Sequence, residues 1–418
     1  MGRLPTNYSR DVQPRLRAHH GTRQAHSSGS ASYTLDMIQA EKPARYKRCI
    51  ARFVLALFVA GSPGVISAET NSGHAFTAAE ALFRQNPEWL GSDGANSTPL
   101  GHGRIFWSFE DTLIATSAAH TRLQSTMIRN SVAIQTGYDP LTATMDFYWG
   151  KGADGSPSSF FPEDGEMWYW TGGAIRLDEG PLISFLHKME STPGAGLGFA
   201  NAGFALALVT NPDQPPSAWE PVVVHGRQSA FDAVPATTLV REGDYIVGLA
   251  LKQEGAHAGA LVRYLAGELA VGNIENPQWW AGPERGWVEE RELGPAGPVW
   301  IIDDAGAESS IHWDRRTRSF IHIATYGFGA ATIGMRTAPA LTGPWSHQVD
   351  IYRPPESDGP RPFVYGAMAH PELKGPEADD LIVTYASNSF EFADLFTEHG
   401  SKNLYWPRVI TLKIGSQR

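Results

Sequence analysis

Short runs of β-type residues return along this chain at intervals of roughly 60 to 80 residues, and helical periodicity is scarce after residue 90. The clearest runs are Arg104 to Phe109, Met167 to Arg176, Tyr245 to Leu251, Ser319 to Tyr326 and Asp380 to Ser387. Each is followed by a second run of small or apolar residues, such as Ala202 to Val209 and Ala331 to Thr337. Two passages close alike: Asn211-Pro212 leads to Ala218-Trp219-Glu220-Pro221, and Ala338-Pro339 leads to Gly343-Pro344-Trp345-Ser346. A repeated strand unit cannot bury its apolar faces alone and needs like neighbours beside it. The repeat predicts an all-β fold, a five-bladed β-propeller occupying residues 69–418 as a single domain. A two-sheet sandwich is the alternative, but it rarely needs 350 residues in one domain. Residues 74–90, with Phe76, Leu82, Phe83 and Trp89, suit one short helix, and Val409 to Ile414 reads as a closing strand.

The first 68 residues differ in composition, with ten Lys and Arg against three acids. A basic stretch from Lys42 to Arg52 leads into the apolar run Phe53 to Ala60 and then the small-residue exit Val65-Ile66-Ser67-Ala68. Basic, apolar, small is the order of a secretory signal, and the apolar core is too short to span a bilayer. Residues 37–68 are therefore expected to be a signal peptide cleaved after Ala68, with a membrane anchor as the rival reading. Residues 1–36, rich in Ser, His and Arg without hydrophobic periodicity, read as disordered or as an extension upstream of the true start at Met37. The sole cysteine, Cys49, precedes the apolar run, so the mature chain has no disulfide. Removing a segment of net +7 from a chain of net −10 leaves −17. Such a surface argues against nucleic acid or anionic membrane as a partner and fits a periplasmic or secreted protein.

In a propeller the first strands of all blades run side by side, so polar residues at their ends converge from distant parts of the chain. On that geometry, residues near 93, 111, 308 and 370 share one pocket. Two aspartates stand out. Asp93 lies in Leu90-Gly91-Ser92-Asp93-Gly94-Ala95, and Asp111 ends the aromatic run Arg104 to Asp111. A carboxylate at the end of a buried strand costs free energy unless it is paired, hydrogen-bonded or used. The two are either turn aspartates capping strand ends or the acid and base (or nucleophile) of glycoside hydrolysis. A carboxyl separation of about 5 Å would then retain the anomeric configuration, and one of about 6.5 to 9.5 Å would invert it.

The chain resembles a five-bladed propeller family, long called a domain of unknown function, that includes endo-D-arabinanases. The match rests on Gly91 to Ser97, Gly103 to Ile114 and Met127 to Ile134, then on Thr342 to Ser346, Tyr365 to Glu372 and Thr384 to Asn388. The resemblance implies that Asp93 and Asp111 are the catalytic pair. One position departs from the family pattern: Glu110 stands where Phe-Gly-Asp-Thr is usual. A glycine there lets a sugar or backbone come close. Glutamate instead narrows the pocket, raises the pKa of Asp111 or marks a different substrate.

Further candidates for substrate binding are Asn130, Ser131, Trp170, Glu308, His312, Tyr365 and His370. Asn130 and Ser131 offer groups for sugar hydroxyls or form a strand-end turn. Trp170 stacks on a sugar or packs in the core. Glu308 is an acid arriving from another blade or a solvated loop residue. His370, fixed by Pro371, lines the channel or is structural. The fourteen histidines are scattered without metal-ligand spacing, so no metal is expected. No phosphate loop or Gly-x-Ser-x-Gly elbow is present, so no cofactor is expected. These residues together predict an exported, monomeric glycoside hydrolase-like protein acting on a polysaccharide or glycan, with arabinofuranose polymers as the substrate the resemblance suggests. The alternative is a non-catalytic propeller that binds glycan or protein at the same funnel.

Overall fold

The computed structural model describes residues 73–415, apart from 195–197, 236, 254, 328 and 330. The extension 1–36 and the expected signal 37–68 lie outside the described residues. Among those described, no helix is long and apolar enough to cross a membrane.

The fold is all-β and its sheets are antiparallel. The first sheet comprises Asn96–Gly101, Arg104–Phe109, Ser131–Thr136 and Thr144–Tyr148. The second comprises Trp168–Arg176, Leu182–Ser191, Phe199–Val209 and Val222–His225. A third, of seven strands, is centred on Leu239–Glu242, Tyr245–Lys252 and Gly259–Leu265. The fourth holds Ser309–Asp314, Ser319–Tyr326, Thr332–Ala338 and Val349–Tyr352. The fifth holds Pro362–His370, Asp380–Ser389 and Arg408–Lys413, to which the N-terminal strand Gly73–Ala75 adds an outer edge. The expected closing strand thus joins both ends of the described chain in one sheet. A 3₁₀ helix, Thr77–Arg84, stands where a short helix was expected.

The five runs read from the sequence are all strands, but they are not equivalent ones. Trp168–Arg176 opens its sheet, whereas Arg104–Phe109, Tyr245–Lys252, Ser319–Tyr326 and Asp380–Ser389 are second strands of theirs. The two similar closing passages do match in position. Each joins the third to the fourth strand of its sheet, in the second and fourth sheets.

Period-two alternation explains why these strands look apolar throughout. Ile105, Trp107 and Phe109 face a cluster containing Ile382, Val409 and Trp406 of the fifth-sheet region, while Phe106 faces Leu182, Leu186 and Ala205 of the second. Separate core clusters join the second sheet to the third, the third to the fourth and the fourth to the fifth. The second strands of the five sheets are buried on both faces, and burial of one ring such as Trp107 contributes about 2 to 3 kcal/mol.

The first strands of the five sheets lie side by side. Asn96 Nδ2 and Thr98 Oγ1 donate to Thr171 O and Ala174 O, at 3.3 and 2.9 Å. Ile311 N donates to Thr238 Oγ1 and Ala369 N to Ser310 Oγ, at 3.2 and 2.8 Å. Ser97 Oγ lies 2.6 Å from His370 Nδ1. Together the five first strands line one cavity of about 310 Å³.

Candidate active site

A small three-stranded sheet, Trp89–Ser92, Thr112–Ala115 and Ser125–Ile128, turns sequence separation into contact. Ser92 pairs with Thr112, and Glu110 N donates to Asp93 O at 3.0 Å. Ser92 Oγ also donates to Asp111 O at 2.9 Å. The loops carrying Asp93 and Asp111 are therefore held against each other by their backbones, at the start of the first sheet's leading strand.

The two aspartates have different surroundings. Asp111 accepts from Arg129 Nη1 at 3.3 and 3.4 Å and from Trp170 Nε1 at 3.1 Å. The Arg129 guanidinium in turn lies 4.3 Å from the centre of the Trp168 ring. Burial raises the Asp111 pKa, and Arg129 and the Trp170 N–H oppose the rise. Asp93 accepts from the Tyr365 hydroxyl at 2.5 Å through Oδ2, and its Oδ1 is buried with no partner among the described residues. Burial first, then the Asp111 charge, pushes its pKa well above the carboxylate range, and the Tyr365 hydrogen bond only partly offsets this.

Two further acids complete the cluster. Burial holds Glu308 at a pKa of about 7. Burial, then the charges of Glu308, Asp93 and Asp111, pushes Glu110 well above its ordinary value. Two glycines make room for these side chains. A Cβ at Gly94 would lie 2.6 Å from Glu110 Cγ, and one at Gly366 would lie 2.5 Å from Glu308 Oε2. Both glycines have positive φ, 57° and 61°, where a side chain would also be strained. Tyr405 closes the cluster by donating its hydroxyl to Asp111 O at 3.0 Å.

Of the residues expected to converge, Asp93, Asp111, Glu308, Tyr365 and Trp170 do so. Asn130 and Ser131 sit beneath them with other partners. Asn130 is fully buried and bonds Phe161 N and O and Tyr169 O, at 2.7 to 3.1 Å. Ser131 Oγ accepts from Trp89 Nε1 at 3.1 Å and meets Thr112 Oγ1 at 2.9 Å. Those contacts fasten the loop around Phe161 and the small sheet, and they leave the Asn130 amide no group for a sugar. His312 and His370 line the 310 Å³ cavity farther along their strands. Burial lowers them to about 4 and about 3, so both are neutral. His370 is held between Ser97 and Thr384, and Ser97 also donates to Glu372. Glu110 lies beside the pair, as its place in the motif suggested, and Arg129 and Tyr405 are the members that sequence reasoning did not place in the site. Arg129 carried a signal, a cation beside Asn130 in a strand-end motif. Tyr405 carried none. Among the described residues, no group of three or more His, Cys, Asp or Glu is arranged to hold a metal ion.

The fold and site define an all-β protein with four clustered carboxyls at the converging starts of its strands. The family model described as "Domain of unknown function (DUF5005)" matches residues 77–258 and 307–413, and the chain belongs to that family. No curated protein matches the sequence. A solved structure from Bacteroides ovatus, provisionally described as a hydrolase, shares the fold at 17% identity and TM-score 0.62, over 84% of this chain and 96% of that one. An endo-arabinase from Bacteroides thetaiotaomicron aligns at 12% identity and TM-score 0.40, over 78% and 95%. A xylan β-1,4-xylosidase from Bacillus halodurans aligns at 11% and 0.41, over 79% and 54%.

Proposed function

We propose that this protein is an exported glycoside hydrolase built on a five-bladed β-propeller, acting on a polysaccharide or glycan through Asp93 and Asp111. Five sheets packed in succession, with the fifth against the first, support the blade count. The observation that carries the function is the asymmetry between two adjoining carboxyls. Asp111 has a cation and an indole N–H that favour its ionised form. Asp93 is buried among like charges that keep its proton on. That pairing is the requirement for cleaving a glycosidic bond. Asp93 protonates the leaving oxygen as the C–O bond breaks. Asp111 attacks the anomeric carbon, or takes a proton from the water that does, and water completes the sugar product. The Glu308 charge adds to that of Asp111 in holding the Asp93 proton.

The test is reducing-end release from arabinans, fructans and galactans, followed by Asp→Asn variants. An activated aryl glycoside, whose leaving group needs no proton, should be cleaved by Asp93→Asn and not by Asp111→Asn. Rescue of Glu308→Gln in place of Asp93→Asn would move the proton donor to Glu308, and full activity in both Asn variants would end the assignment. A second reading, a non-catalytic glycan binder, draws on Glu110, whose extra buried carboxyl occupies the crease at Gly94. Glycan retention without release of reducing ends would favour it. The export component expects a mature N-terminus near Glu69 in periplasm or medium, which N-terminal sequencing reads directly.

A further inference from the structure

A row of aromatic rings leads away from the acid cluster along the fifth sheet. Tyr365, whose hydroxyl bonds Asp93, is stacked with Phe363 at 5.5 Å between centres and 28° between planes. Residues 363 and 365 are two apart on one strand, so both rings stand on one face. Phe363 in turn lies against Phe390, at 4.6 Å and 31°. Phe390 is 53% exposed, and Phe392 two residues on is 48% exposed.

The outer part of the row is held in place. Phe390 N donates to Arg361 O at 2.9 Å, Arg361 Nη1 pairs with Asp394 at 3.1 Å, and Ser389 Oγ donates to Asp394 at 2.8 Å. An exposed aromatic on a pinned segment costs little entropy to bind against. A sugar ring has C–H bonds on its faces and hydroxyls at its rim, so it rests on an aromatic ring without losing its hydrogen bonds to water.

We propose that Phe390, continuous through Phe363 with Tyr365, is a distal subsite for a second or later sugar unit of a linked glycan. This rests on the glycoside hydrolase reading and narrows it: the substrate is a chain of sugars extending over the fifth sheet. The experiment uses the Asp111→Asn protein, so that binding is read without turnover. Electrophoretic retardation is measured in gels containing soluble arabinan, galactan or levan, for Asp111→Asn alone and combined with Phe390→Ala or Phe390→Trp. Leu123→Ala, at an exposed position in the 3₁₀ helix Arg122–Gln124 before Ser125–Ile128, is the control. We expect one polymer to retard the parent. Phe390→Ala should weaken that binding about ten-fold, with Phe390→Trp and Leu123→Ala close to the parent. Equal retardation with Phe390→Ala overturns the subsite while the hydrolase reading stands. No retardation of the parent by any of the three overturns the subsite and counts against the hydrolase reading as well.

Discussion

Two buried charged regions sit side by side and are treated in opposite ways. Arg122 is 4% exposed, and its guanidinium donates to the carbonyls of Leu90, Leu395, Gly400, Leu404 and Tyr405, at 2.8 to 3.3 Å. Burial lowers its pKa only to about 10, so it remains a cation. Together these side-chain bonds tie the segment carrying Tyr405 to the strand that leads into Asp93. The neighbouring acid cluster has more ionisable groups and fewer partners, with Asp93 Oδ1 and Glu308 Oε2 buried and unbonded among the described residues. A saturated charge fixes the chain path, and an unsaturated one is available to a substrate. The comparison teaches that burial alone does not decide how a charged group is held; the number of hydrogen-bond partners does.

The largest expected effect separates the two regions directly. Asp111→Asn should lower turnover by about 10⁴-fold, or about 5 kcal/mol of barrier, with the melting temperature little changed. Turnover by the reducing-end assay and a thermal melt check this together. If the aspartates are only strand-end caps, the melt falls and activity per folded molecule is preserved. Arg122→Met should do the reverse of the first case. It leaves five carbonyls without their donor and should cost about 4 kcal/mol of stability, read by urea unfolding. An unchanged unfolding midpoint would remove Arg122 as the clasp.

Glu308 sharpens the comparison through pH. Its folded pKa of about 7 lies above the ordinary 4.5, so its contribution to stability is full below pH 4.5. That contribution is lost as pH rises to 7, because the folded state must give up a proton the unfolded state has already lost. Glu308→Gln should remove up to about 3 kcal/mol of this loss, narrowing the difference between unfolding midpoints at pH 5 and pH 8. Identical pH dependence in the variant would show that the group titrates as an exposed acid. The smallest effect is expected from Glu110→Gly, which empties the crease at Gly94 and should raise activity on furanose polymers less than about ten-fold. A fall in activity would show that Glu110 supports the cluster instead of restricting it.

Much of the architecture was legible because strand and turn signals are local. The runs at Arg104, Tyr245, Ser319 and Asp380 needed only apolar content and β-propensity to be read. The two Pro-Trp passages marked the same connection in two sheets. The phase of the repeat was less legible, since Trp168–Arg176 is a first strand and yet resembles the second strands in composition. Trp168–Arg176 is largely buried, like the second strands and unlike the first strands Asn96–Gly101 and Leu239–Glu242, so its composition resembles theirs. The site was legible to the same extent. Asp93 and Asp111 lie on strand ends in one short stretch. Asn130 looked like a sugar ligand because an amide beside a strand end is equally suited to bonding substrate or backbone, and here it bonds Phe161 and Tyr169.

The sequence by itself determined the β class, the strand positions, and that carboxyls stand where strands begin, because alternation and strand ends are properties of neighbouring residues. Only the tertiary structure decided which carboxyl meets which partner. Arg129 and Trp170 reach Asp111, Tyr365 reaches Asp93 across 272 positions, and Tyr405 reaches Asp111 across 294. Contacts over such separations depend on how the sheets pack against one another. The protonation of each acid follows from those contacts and from burial, which no single stretch of chain encodes.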